Sequence, residues 1–235
     1  MSWERVRYAA IMVGVHLVAG GCSPEETQAN VARSDTAPAV VQPQQREDGK
    51  LVLAFGDSLY AGYGLDPGDS FPAQLEKGLQ QQGIAATVHN AGVSGDTSAA
   101  GLQRLSFTLD GLPRKPDLAI VGLGGNDMLR GLDPSATQAN LLAICQELRG
   151  RGIEVVLTGI LAAPNLGEDY GRRFNRLFPD VAGACGAALY PFLLEDVNTQ
   201  KALMLPDGIH PNSAGIQRIV GKIQPLIARE LGRDS

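Results

Sequence analysis

The chain has 235 residues, of which 44% are hydrophobic, 19% charged and 5% aromatic. That is enough apolar material for one sizeable core, built mainly from aliphatic side chains and alanine. A net charge of −5 at pH 7, with no basic cluster, argues against nucleic acid or a polyanionic polysaccharide as partner.

Arg5 and Arg7 precede an uncharged stretch over 8–21 that is too short to span a bilayer comfortably. It ends in Val-Ala-Gly-Gly before Cys22. A charged start, an apolar middle and small residues before a cysteine resemble a bacterial lipoprotein signal. The resemblance implies removal of residues 1–21 and lipid on the Cys22 sulfur. It also implies a periplasm-facing anchor in the cell envelope, at the outer membrane in a diderm bacterium. The competing reading is an ordinary secretory signal with an incidental cysteine. Residues 22–49 are rich in Gln, Pro, Ala, Thr and acids and show no apolar period, which predicts a disordered tether. One folded domain is expected over 50–235.

In that domain apolar runs alternate with amphipathic ones. Strands are predicted over 51–55, 84–90, 116–124, 153–160 and 188–192. Helices are predicted over 71–83, where Pro72 stands early and Gly83 closes, and over 98–110. A third covers 134–152, with Leu141, Leu142, Ile144, Cys145 and Leu148 on one face and Gly152 as the stop. Further helices fall around 173–184 and 214–231, the last with Ile216, Ile219, Val220, Ile223 and Ile227 on one side. Five strand–helix alternations predict a parallel sheet covered on both faces, a flavodoxin-like three-layer α/β/α sandwich. In such a sheet ligands bind beyond the carboxyl ends of the strands, at the point where the strand order reverses. Cys145 and Cys185 either pair, as an oxidising envelope permits, or pack as two small hydrophobes.

The strand ends carry the polar residues that chemistry would need. Gly-Asp-Ser follows the first strand and places Ser58 at its tip; Gly95 follows the second; Gly-Gly-Asn-Asp, with Asn126, follows the third. In a 2-1-3-4-5 strand order these three ends are neighbours. A serine hydroxyl is a weak nucleophile and needs an adjacent base, and an imidazole, ordinarily near pKa ~6.5, suits. Of the three histidines, His16 lies in the signal and His89 in the second strand, at its end or facing solvent. His210 sits in a turn between Pro206 and Pro211, and Asp207 stands three residues before it. That spacing lets a carboxylate hold the imidazole tautomer. Backbone N–H groups of Ser58 and Gly95, with the Asn126 amide, would stabilise an oxyanion. Asp57 and Asp127 read as turn-stabilising side chains.

Four blocks, FGDSLYAGYG, NAGVSGDTSAAGLQRL, LGGNDMLRG and DGIHPN, resemble those of the SGNH (GDSL) hydrolases. They are most similar to the thioesterase I, arylesterase and lysophospholipase branch, and YGRRFN at 170–175 also resembles that branch. The likeness extends over about 51–230. It implies Ser58 as nucleophile, His210 as base, Asp207 as orienting acid, and Ser58, Gly95 and Asn126 as oxyanion donors. It implies aryl esters, acyl thioesters or lysophospholipids as substrates, with no cofactor and no metal. The stretch LAAPNLGEDYGRR looks longer than its counterpart in that branch. A carbohydrate O-acetylesterase is the alternative enzyme, distinguished by activity on acetyl esters alone. A non-catalytic envelope lipoprotein on the same fold would be expected to lack a triad member, and Ser58, Asp207 and His210 are all present. A nucleotide binder would need a phosphate-cradling glycine loop at the first helix, and none is there.

Overall fold

In a computed structural model, residues 49–233 are described. The expected signal, Cys22 and the tether up to residue 48 lie outside them. The strands are β1 (Lys50–Gly56), β2 (Ala86–Gly92), β3 (Leu118–Gly122), β4 (Glu154–Thr158) and β5 (Ala188–Tyr190). The helices are α1 (Ser58–Ala61), α2 (Phe71–Gln81), α3 (Ser98–Asp110), α4 (Gly125–Leu129), α5 (Pro134–Gly150), α6 (Glu168–Cys185) and α7 (Ser213–Leu231). All strand pairs are parallel, in the order β2-β1-β3-β4-β5. The chain therefore reverses direction across the sheet at β1, between β2 and β3.

Burial explains the layers. β1 and β3 are buried along nearly their whole length, as central strands covered on both faces must be. β2, at an edge, alternates instead: Val88 is buried while His89 is exposed. α2 buries Leu75 and Leu79 and packs against α7, whose Ile216, Ile219, Val220, Ile223 and Ile227 are all buried. α3 packs against α5 and α5 against α6, forming the opposite layer. On α5, Leu141, Ile144, Cys145 and Leu148 are buried, but Leu142 is only half-buried, at the edge of the expected face. A disulfide joins Cys145 on α5 to Cys185 at the end of α6, 40 residues apart. Closing a loop of that length stabilises a fold by roughly 4 kcal/mol on the chain-entropy account.

Boundaries depart from the periodicity for local reasons. β2 begins at Ala86 rather than at residue 84, because the Ile84 N–H is used to close α2 by donating to the Leu79 carbonyl. β3 stops at Gly122, because Gly124 (φ 107°) turns the chain into α4. β5 ends at Tyr190, one residue before Pro191, which lacks a ladder donor. The two short helices α1 and α4 have no counterpart in the sequence pattern, since four or five residues cannot display a 3.6-residue period.

Candidate active site

Three glycines build the platform. Gly56, Gly92 and Gly122 close β1, β2 and β3, and the register sets them side by side. A Cβ at Gly122 would lie 2.1 Å from the Tyr60 ring, and one at Gly56 would lie 2.4 Å from it. At Gly92 a Cβ would meet the Ala61 backbone nitrogen at 2.1 Å. The missing side chains let α1 lie directly on the strand ends. Tyr60 fills the gap, fully buried, with its hydroxyl 2.8 Å from Thr158 Oγ1. Burial pushes the Tyr60 hydroxyl well above its usual range and keeps it neutral. Ser58 is thereby presented at the first position of α1, half-buried.

A hydrogen-bond relay runs from that serine. His210 Nε2 is 2.9 Å from Ser58 Oγ, and His210 Nδ1 is 2.7 Å from Asp207 Oδ2. Asp207 is fixed by its own turn, because Oδ1 accepts the backbone N–H of Ile209 (2.9 Å) and of His210 (3.0 Å). The bond from the His210 side chain, with these two, pulls the Asp207 carboxyl down to about 2. An ionised carboxylate only accepts, so Nδ1 carries the proton and Nε2 turns its lone pair to Ser58. The Tyr63 ring lies 4.4 Å from the imidazole, centroid to centroid, and walls it on one side.

The expected oxyanion donors come to the same place. Ser58, Gly95 and Asn126 line one cleft of about 300 Å³ together with His210. Among the described residues neither the Ser58 nor the Gly95 N–H donates to a protein acceptor. Gly95 sits at φ 88° in the turn between β2 and α3, a conformation that favours glycine. Its carbonyl accepts from Arg130 Nη2 at 2.8 Å, which holds the turn against α4. Asn126 lies in the first turn of α4, and its Nδ2 donates to Asp57 Oδ2 at 3.4 Å. Leu59, Met128, Leu129, Ile160, Leu194 and Ile209 give the cleft a largely apolar wall, with Asp57, Tyr63, Ser94 and Gly125 completing the lining.

Two acids expected to stabilise turns do so here while buried, and an arginine that the sequence did not single out supports the site as well. Asp57, 4% exposed, caps α1 by accepting the Leu59 N–H at 3.1 Å. Burial is the largest influence on its carboxyl and raises it to about 6, even though the Leu59 hydrogen bond, the electrostatic influence of His210 and the Asn126 hydrogen bond pull the other way. Asp127, 2% exposed, accepts from the Ser98 N–H (2.8 Å), the Ser98 hydroxyl (2.5 Å) and the Thr137 hydroxyl (3.1 Å). It is a turn-stabiliser, as expected, and it ties α4 to α3 and α5. Arg104 bonds Asp96 at 2.6 Å and the Gly56 carbonyl at 3.0 Å, fastening the loop after β2 to the tip of β1. A lone arginine gives no sequence signal for this. His89, exposed on β2, is not among the residues lining the cleft.

A hydroxyl, an imidazole and a carboxylate in one relay, at the switch point of a doubly wound sheet, make this a hydrolase of the serine type. The chain belongs to the GDSL-like lipase/acylhydrolase family, whose model matches residues 54–218. It is 40% identical over 189 residues to esterase TesA of Pseudomonas aeruginosa, covering 80% of this chain and 93% of that one. It is 38% identical over 180 residues to thioesterase 1/protease 1/lysophospholipase L1 of Escherichia coli, covering 75% of this chain and 84% of that one. Among solved structures it is similar to AlinE4, an SGNH-hydrolase family esterase. That match has 48% identity and a TM-score of 0.68, over 80% of this chain and all of the other.

Proposed function

We propose that this chain is an envelope-anchored serine esterase that cleaves carboxylic esters through an acyl-enzyme on Ser58. The single observation that carries the proposal is the unbroken relay Ser58–His210–Asp207, opening onto an apolar cleft beside Gly95 and Asn126. Ser58 Oγ attacks the ester carbonyl while His210 Nε2 takes its proton. The N–H groups of Ser58 and Gly95 and the Asn126 amide stabilise the tetrahedral oxyanion. His210 then gives its proton to the leaving alkoxide or thiolate. Water, deprotonated by the same nitrogen, frees the acid and restores Ser58. The apolar wall supports an acyl chain longer than acetyl. Aryl esters, acyl thioesters and lysophospholipids fit this chemistry, and the Escherichia coli relative's name supports the last two.

A fluorophosphonate probe tests the assignment. It should label Ser58, and Ser58→Ala should abolish both labelling and turnover while the unfolding temperature is retained. Labelling at Ser94 instead would overturn it; Ser98 is already committed to Asp127. Rates on esters of graded acyl length, with a thioester and a lysophospholipid alongside, rank the substrates, and activity confined to acetyl esters would refute the long-chain reading. For the anchor, the native protein should carry lipid at Cys22, and a Cys22→Ser protein that still sediments with membranes would refute it.

A further inference from the structure

We infer that Asp57 is a positioning residue whose carboxylate sets the orientation of the Asn126 amide, so that an N–H and not the carbonyl oxygen faces the developing oxyanion. The inference rests on the reading of Asn126 as an oxyanion donor.

The two ends of an asparagine amide have nearly the same shape, so packing alone scarcely distinguishes them. A partner of fixed polarity does. Asn126 Nδ2 donates to Asp57 Oδ2, and among the described residues its side chain makes no other hydrogen bond. The amide nitrogen has two hydrogens. Giving one to the carboxylate leaves the other free for substrate. The flipped amide would set oxygen against a buried carboxylate, acceptor against acceptor.

Asp57 is itself held rigidly enough to do this. Its backbone N–H donates to the Gly122 carbonyl at 3.3 Å, and its own carbonyl accepts from Tyr60 and Ala61. Its Oδ1 is engaged by Leu59. A Cβ on Gly125 would stand 3.2 Å from Oδ2, so glycine there lets the turn into α4 close on the carboxylate. Capping alone does not account for an acid at this position. Serine, threonine or asparagine caps a helix as well, and none carries a carboxyl for burial to raise, as it raises that of Asp57 to about 6. What an acid adds is an oxygen that accepts under all conditions in which it is ionised, aimed at Asn126.

The test is a double-mutant cycle on kcat and KM with unfolding temperatures on the same preparations. Asp57→Asn keeps an oxygen for the Leu59 N–H and places an amino group where Oδ2 stood, which favours the flipped Asn126. The expected result is a fall in kcat of about 10²-fold with KM within about threefold of the parent. In an Asn126→Ala background the same substitution should cost less than about threefold, because there is no amide left to orient. Asp57→Ser, which keeps the cap but removes the polarity signal, should lie between the parent and Asp57→Asn, and its effect too should vanish in that background. A merely structural role predicts the same factor in both backgrounds, and that result overturns the inference. Normal turnover in folded Asp57→Asn also overturns it. If Asn126→Ala alone turns over normally, the donor role of Asn126 fails first and this inference falls with it. Loss in Asn126→Ala with an additive Asp57 effect leaves the donor role standing and removes only the positioning role.

Discussion

Substituting Gly92 by alanine tests whether the glycine platform sets the catalytic geometry. The added methyl would lie 2.1 Å from the Ala61 nitrogen and 2.6 Å from the Tyr60 carbonyl carbon, both backbone atoms with no rotamer to escape through. Ordinary contact begins near 3.4 Å, so α1 and β2 must separate by about 1.3 Å. α1 carries Ser58, whose hydroxyl is 2.9 Å from His210 Nε2. A displacement of that size takes the pair out of hydrogen-bond range, and a misplacement of about 1 Å costs roughly 10²-fold in rate. Overpacking of this kind destabilises by about 1–3 kcal/mol, a loss of roughly 5 °C for a chain of this size. Gly101→Ala is the control: its methyl meets Leu123 Cδ1 at 2.4 Å, the far end of a side chain. It should lower the unfolding temperature while leaving kcat within a few fold. The assay is kcat on a short aryl ester, with thermal unfolding of each variant followed by circular dichroism. A Gly92→Ala protein that loses stability yet turns over like the parent would refute the claim that close seating of α1 positions Ser58.

Asp207→Asn should lower kcat by about 10³- to 10⁴-fold with the fold retained. An amide facing Nδ1 no longer demands a proton there, and the imidazole loses the tautomer that accepts from Ser58; near-normal turnover would remove Asp207 from the relay. His89→Gln, on an exposed strand position outside the cleft, should leave kcat and KM unchanged, and a large loss would show that the base is misassigned. Asp57 gives a pH signature in stability. Its folded-state value of about 6 stands above the ordinary 3.8, so the folded state holds the proton more tightly. The associated stability is fully present below pH 4 and is lost as pH rises through 6, a cost of roughly 3 kcal/mol by pH 8. The difference in unfolding temperature between Asp57→Asn and the parent should therefore shift in favour of the variant between pH 4 and 8, and a pH-independent difference would contradict it.

The sequence by itself determined the five strands, the five long helices and most of the chemistry, but not the short helices α1 and α4. Periodicity is a local property, so apolar runs such as Leu51–Phe55 within β1 and the isoleucine face of α7 could be read without knowing their partners. Five alternations were enough to require a parallel sheet, and the residues after the first three strands, with the turn before the last helix, pointed to Ser58, Gly95, Asn126, Asp207 and His210. Tertiary structure decided what depends on neighbours distant in the chain. Only the β2-β1-β3 register shows that Gly56, Gly92 and Gly122 form one row beneath Tyr60. Only packing reveals that Asp57 meets Asn126 across 69 positions, or that Arg104 fastens one strand-end loop to another strand. A buried acid and an exposed turn acid look identical in sequence, because the solvent each has lost is set by what folds over it. That is why Asp57 read as an ordinary turn residue, whereas its burial in the fold sets its carboxyl apart from that of Asp207.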